Sequence, residues 1–215
     1  MLNIKTIKSG KIQENCYIVY DSSNDGLIID PGESYNKICS YIKENNVNPL
    51  AILNTHAHYD HIGGVKYLQD ELNVPFYLHS SDEQTLKRAN LLRILFEGKL
   101  SVPIPKIDVY IDQLEDVFLI GDMSIRILHT PGHTPGGICV IIQKNIFSGD
   151  TLMKGLVGRT DLPGGNRKHL IASLEKLLNL PGHTIIYPGH GSKTLLKNER
   201  DNIIEYLKNQ WFVIV

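Results

Sequence analysis

Cysteine is scarce in this chain, with three residues in 215. An odd, widely spaced set cannot build a disulfide framework, and Cys16, Cys39 and Cys139 each sit in an aliphatic neighbourhood. The expectation is buried, reduced thiols and a cytoplasmic protein. An excess of one charge is also lacking: 22 basic residues face 23 acidic ones, for a formal net charge of -1. Composition therefore supplies no polycationic face, and nucleic acid is not the expected partner. Long hydrophobic runs are absent as well. The opening Met-Leu-Asn-Ile-Lys-Thr has no apolar core of a leader peptide, and no stretch approaches bilayer-spanning length, so no membrane partner is expected. A chain of this length fits one sizeable core, read as a single domain over residues 1–215.

What the chain does have is nine histidines, several of them crowded into Leu-Asn-Thr-His-Ala-His-Tyr-Asp-His-Ile-Gly-Gly, residues 53–64. His56, His58, Asp60 and His61 fall within six positions, directly after an aliphatic run at 50–53 that reads as a buried strand. Alternation in extended backbone puts His56 and His58 on one side, where two imidazoles can converge on one cation. Val65, Leu68 and Leu72 follow with helical spacing, so Asp60 falls at a helix start, where a carboxylate is favoured. A solvated, histidine-rich loop is the alternative, but it must explain four ligand-type residues at once. Four such side chains, with ligands added from elsewhere, exceed one tetrahedral ion and predict two metal sites.

The remaining pattern predicts mixed α/β structure. The first thirty residues read as a three-strand meander, followed by a helix carrying Tyr35, Ile38, Cys39 and Ile42 and closed by residues 45–49. A short strand at 76–78 and a helix from Ser81 to about Phe96 come after the histidine-rich loop. Residues 98–108, with Pro103 and Pro105, read as an irregular loop that could overhang a site. The second half gives strands at 117–120, 124–128, 138–142, 145–147 and 184–187. A helix through Ile171, Leu174 and Leu178 precedes the last of these, and a final helix runs through Leu196, Ile203 and Leu207. Two sheets with helices outside are expected.

Five times an aliphatic run ends in a polar loop, at Asp30, His56, His133, Asp150 and His190. If those strand ends share an edge, their side chains meet. Pro-Gly-His occurs three times. His183 precedes the 184–187 strand and His190 follows it, about 20 Å away at roughly 3.3 Å per residue, so His183 falls on the wrong edge. His133 is favoured over His129 because Pro131 and Gly132 carry it into the loop, leaving His129 to packing or to support of a ligand. His79 and His169 read as surface or helix-start residues. Asp150 offers a carboxylate able to bridge two cations. Asp30 reads equally as support for the metal loop and as a plain Asp-Pro-Gly turn.

His56-x-His58-x-Asp60-His61, followed by His133, Asp150 and His190 in that order, resembles the metallo-β-lactamase superfamily over nearly the whole chain. The resemblance implies an αββα sandwich with the site at the sheet edge. It also implies His56, His58 and His133 on one metal, Asp60, His61 and His190 on a second, and Asp150 bridging. Two divalent ions follow, zinc first, with iron or manganese as alternatives. Gly149-Asp150-Thr151 and Gly158-Arg159-Thr160-Asp161-Leu162-Pro163-Gly164-Gly165 look like the glyoxalase II-like branch, which implies hydrolysis of a small-molecule acyl thioester by a metal-activated hydroxide, with Asp60 and Asp150 holding the reacting centre. Where many true β-lactamases carry Cys at the second site, this chain has Asp60 and His61, which argues against antibiotic hydrolysis. The helical extension that helps glyoxalase II hold glutathione is not matched here. Arg159 and Lys154 are candidates for a substrate carboxylate, against an internal Arg159 to Asp161 ion pair that ranks slightly ahead. Iron-dependent persulfide dioxygenases resemble the same branch and give the second functional reading. A non-catalytic, metal-stabilised binding module is the third. The apolar residues Trp211 to Val215 read as packing on a sheet or as a homo-oligomer surface.

Overall fold

The structure is a computed structural model that describes residues 2–98 and 101–208. The apolar stretch Trp211 to Val215 lies outside the described residues, and neither reading of it is addressed.

Alternation along the strands sets the layering. In β2 (Glu14–Tyr20), Cys16 and Ile18 point one way and Tyr17 and Val19 the other, and both sets are buried. The same split separates Ile28 from Leu27 and Ile29 in β3 (Asp25–Ile29), and Ile52 from Ala51 and Leu53 in β4 (Asn48–Leu53). A strand buried on both faces must lie between two layers, which is why these segments read as unbroken aliphatic runs.

The first sheet has the order β1-β2-β3-β4-β5-β6, with β1 at Asn3–Ser9, β5 at Phe76–Leu78 and β6 at Val109–Tyr110. The meander β1 to β3 is antiparallel, as expected, and β3 to β6 run parallel. The second sheet has the order β14-β13-β10-β9-β8-β7. Its members are β7 (Val117–Ile120), β8 (Met123–His129), β9 (Ile138–Ile142), β10 (Asn145–Gly149), β13 (Ile185–Pro188) and β14 (Thr194–Leu195). All its pairings are antiparallel except β10 with β13. A two-stranded hairpin, β11 (Leu152–Met153) with β12 (Leu156–Val157), stands apart.

Leu27, Ile29, Leu53, Ile125, Val140 and Phe147 fill the space between the sheets. The outer face of the first sheet packs on Ile38 and Ile42 of α1 (Tyr35–Glu44), Val65 and Leu68 of α3 (Val65–Leu72), and Leu86 and Ala89 of α4 (Glu83–Glu97). The one-turn helix α2 (Tyr59–Ile62) precedes α3. Cys139, Ile146 and Ile186 on the outer face of the second sheet meet Leu170, Leu174 and Leu177 of α5 (Arg167–Leu178) and Leu196 and Ile203 of α6 (Leu196–Lys208). The result is the expected αββα order of layers. Cys16 and Cys139 are buried free thiols, with burial pushing Cys139 up to about 11, and Cys39 is half-buried. Among the described residues no helix is long and apolar enough to cross a membrane.

Two expectations need correction. Pro49 does not close α1; it already belongs to β4, opposite Gly26, where the β3–β4 register shifts, a position that tolerates a residue without an N–H. Residues 101–108 do not overhang the site. The Asn90 side chain holds the backbone N–H and carbonyl of Val102, Gln69 holds the Lys106 carbonyl, and Val102 joins the core under α1, α3 and α4. His79 fits the helix-start reading rather than the surface one: it is buried, caps a 3₁₀ turn by accepting from the Ser81 N–H, and stacks on His129 at 4.2 Å between ring centroids.

Candidate metal centre

The five strand ends do meet. Strands β3, β4, β8, β10 and β13 deliver Asp30, His56, the His133 loop, Asp150 and His190 to one edge, and the Ile138 N–H donating to the Thr55 carbonyl at 2.9 Å ties the two sheets together there. His183 lies at the opposite end of β13 from His190. His129 closes β8 and turns its Nε2 to the Pro135 carbonyl at 3.1 Å, so it packs rather than ligates. His169 is exposed in the first turn of α5, where its N–H donates to the capping Asn166 side chain.

Two groups of side chains gather at this edge. His56, His58 and His133 bring ligand nitrogens within 4.8 Å of one another, and a carboxylate oxygen of Asp60 lies as close to ring nitrogens of His61 and His190. Asp150 stands between them. Its Oδ2 is 3.5 Å from His133 Nε2 and 3.8 Å from His190 Nε2, while its Oδ1 is 3.8 Å from His61 Nε2. Gly189 lets the two strand ends approach so closely, since a Cβ there would collide with Asp150 Oδ1 and the His61 ring.

The imidazoles are oriented from behind. His133 Nδ1 lies 2.8 Å from the Arg159 carbonyl, and His190 Nδ1 lies 3.2 Å from that of Ile12. The Thr55 hydroxyl donates to Asp30 and so can accept from His56 Nδ1, 3.1 Å away. Each arrangement places the proton on Nδ1 and leaves Nε2 facing inward. Asp30 accepts from the Thr55 N–H and hydroxyl at 2.7 and 2.6 Å, and its Oδ2 is 3.1 Å from His61 Nδ1. Asp30 therefore holds the loop and faces the back of a site imidazole, as the supporting reading expected, and it takes a left-handed φ of 50° to do so. Asp30, His56 and His61 also satisfy the distance criterion for a metal group. The Asp30 carboxylate is already engaged by Thr55.

Charge divides the two groups. Burial, and then the neighbouring imidazoles led by His133, press His58 down to about 3, and burial with His61 presses His56 well below its ordinary value. Burial pushes His61 and His190 the same way, but Asp60 and Asp150 outweigh it, joined at His61 by Asp30, and both end above the ordinary value. Asp60, buried yet facing His61 and His190, is held well below the usual carboxylate range.

Two residues in this region were not singled out from the sequence. Asp82, wholly buried before α4, caps nothing. Its carboxylate accepts from the Ala57 N–H at 2.9 Å, the Thr134 hydroxyl at 2.9 Å and the Gly136 N–H at 2.7 Å, tying the His56–His58 segment to the His133 loop. Ser-Ser-Asp-Glu at 80–83 reads as an ordinary helix start and hides this role. Glu14 is wholly buried behind His61, 4.0 Å from its Nδ1, with neither carboxylate oxygen hydrogen-bonded. Burial drives its pKa well up. The available signal was a carboxyl at the same strand parity as Cys16 and Ile18.

Arg159 donates to both oxygens of Asp161 at 2.7 Å, the internal pairing that ranked ahead. Lys154 is exposed at the tip of the β11–β12 hairpin, and neither cavity beside the metal centre includes it.

The metallo-beta-lactamase superfamily pattern matches residues 9–190. "Probable metallo-hydrolase YqgX" of Bacillus subtilis (strain 168) is 40% identical over 195 residues, spanning 89% of this chain and 92% of that one. "Hydroxyacylglutathione hydrolase GloC" of Haemophilus influenzae (strain ATCC 51907 / DSM 11121 / KW20 / Rd) is 35% identical, spanning 93% and 95%. Among solved structures, the BLEG-1 B3 metallo-beta-lactamase superposes with a TM-score of 0.87 at 37% identity, covering 93% of this chain and 97% of that chain. The di-iron-bound form of TTHA1623 superposes with a TM-score of 0.83 at 38% identity, covering 92% and 98%. The fold, the His and Asp groups at its edge and these relatives agree: the chain belongs to the metallo-beta-lactamase superfamily and has the relatives of a metallo-hydrolase.

Proposed function

We propose that this protein is a dinuclear metallo-hydrolase of acyl thioesters, glyoxalase II-like in chemistry. One observation carries the metal reading. His56, His58, His61 and His133 each present a buried Nε2 with no hydrogen-bond partner, and Asp150 Oδ1 is a fifth such atom among them. Unpaired buried polar atoms are costly, and so many converging on one point fit a divalent cation site. His56, His58 and His133 would hold one ion, Asp60, His61 and His190 the other, and Asp150 would reach both. When bound, such ions supply Lewis acidity and lower the pKa of water to about 7.

The protein's own groups do the rest. Neutral His56 and His58 need lose no proton to become ligands. Asp60 and Asp150 bring the negative charge that balances two cations, while Asp30 and Asp82 hold the loops in register. A thiol leaves readily, with a pKa of about 8.5, so no strong general acid is needed on the leaving side. The likeness to a relative named as a hydroxyacylglutathione hydrolase supports the thioester. Zinc is the first choice of metal, and the di-iron form of a 38% identical protein keeps iron in view. The free thiols agree with a cytoplasmic setting.

The likeness to a B3 metallo-beta-lactamase makes β-lactam hydrolysis the second reading. The test is elemental analysis of protein purified without added metal, then turnover of S-lactoylglutathione, simple acyl thioesters and a chromogenic β-lactam. Two metals per chain and chelator-sensitive thioester cleavage are expected. A single iron with oxygen uptake on glutathione persulfide, or turnover of the β-lactam alone, would overturn the proposal.

A further inference from the structure

Two cavities open onto the metal centre from different sides, and both include His133, Asp150, Arg159 and His190. The larger, about 430 Å³, runs beneath the β11–β12 hairpin towards Arg167, Asn202 and Tyr206. The smaller, about 350 Å³, is walled by Ile12, Tyr59, Leu92, Phe96 and Leu162. A molecule whose reacting bond lies over His133 and Asp150 can place one half in each cavity. Both cavities are lined largely by apolar side chains, and the smaller also includes Lys11 and Glu97.

The apolar wall is built into the scaffold. Leu92 is buried in the core, and Phe96 lies one turn further along the same helix, α4, half-exposed at 49%. The Arg93 to Glu33 ion pair at 2.6 Å pins the helix between them, and the Arg159 guanidinium lies 6.0 Å from the Phe96 ring centroid. Ile12, 46% exposed, faces the cavity from the β1–β2 turn on the other rim. Single exposed apolar side chains need no explanation, but several lining one concave site mark a place where a ligand removes apolar surface from water.

We infer that this second cavity receives an apolar half of the substrate, so that the preferred thioesters carry an aliphatic or aromatic group beside the reacting bond and Phe96 determines that preference. The inference rests on the hydrolase reading above and narrows its substrate class. Burial of each methylene is favourable enough to raise kcat/KM roughly two- to four-fold per carbon until the cavity is full, chiefly through KM.

Two homologous series test this on the metal-loaded protein: alkanoyl thioesters of N-acetylcysteamine from acetyl to octanoyl, and acetyl thioesters of alkanethiols of rising length. At least one series should show the rise, and Phe96→Ser should collapse its long-to-short ratio towards one. Leu162→Ser, on the facing wall, repeats the test should the first variant fold poorly. Flat or falling profiles in both series, or a rise untouched by either variant, would overturn the inference. Calorimetric binding of the alkanoates from acetate to octanoate keeps the two readings apart. Affinity that climbs with length and depends on Phe96, without turnover of any thioester, upholds the cavity and removes the thioesterase. Affinity independent of length removes the cavity.

Discussion

The two ligand groups at the sheet edge are built from similar parts and differ in kind. His56, His58 and His133 form a dry cluster in which burial keeps His56 and His58 uncharged, and the His133 side chain is 6% exposed. Asp60, His61 and His190 form a cluster of opposite charges already paired with one another, with the His190 side chain 23% exposed. The first is ready for a cation as it stands. The second has its imidazole pKa values raised by carboxylates, so protons compete with a cation for it.

The largest effect should come from removing what joins them. Asp150→Ala is expected to lower metal content below two per chain and turnover by about a thousand-fold or more, since the carboxylate facing both groups is lost. Retention of two metals with full turnover would break the bridging assignment. Next comes the support: Asp82→Ala leaves two backbone N–H groups and the Thr85 and Thr134 hydroxyls without their acceptor, at a cost of about 2–4 kcal/mol, read by denaturant unfolding of the metal-free protein. Asp82→Asn should recover part of that loss.

A subtler effect separates the clusters directly. Because His61 and His190 sit above their ordinary pKa, a cation there competes with protons more than one held by His56 and His58 does. Affinity for one metal equivalent should therefore climb with rising pH until both imidazoles are deprotonated, by up to about ten-fold per unit for each proton released. The other equivalent, held partly by His58 with its pKa near 3, should follow a shallower course. Isothermal titration in several buffers measures both, and equal slopes would erase the distinction. The smallest effect belongs to Asp161→Asn. The Arg159 pair holds the Asp161 carboxyl down at about 2, yet both groups are about a third exposed, so the midpoint of a thermal melt should barely move.

The ligand-type residues were legible because each lies in a short loop directly after an aliphatic strand, and period-two patterning locates strand ends well. Position relative to the 184–187 strand was enough to predict that His190, and not His183, would reach the site edge. Asp82 and Glu14 were hidden for one physical reason. Asp82 meets Thr134 and Gly136 across 52 and 54 residues, and Glu14 meets His61 across 47, so no local pattern records either. The two-residue strands β6, β11, β12 and β14 exist only because a neighbour supplies their hydrogen bonds. Residues 101–108 misled because proline-rich irregularity reads as a free loop, whereas Asn90 and Gln69 fasten it to the helical layer.

The loop bearing His190 is held by the other end of the chain. The Asn15 N–H donates to the Gly189 carbonyl at 2.7 Å, its side-chain amide reaches the carbonyls of Pro188 and Gly191, and the Tyr17 hydroxyl donates to Pro188 at 2.6 Å. A ribosome delivers Asn15 and the four clustered ligands of residues 56–61 long before it delivers Gly189. During synthesis the nascent chain thus carries half a binding site whose clasp has not yet been made. A cation that needs His190 would therefore have to wait until the late segment docks on the earliest strands.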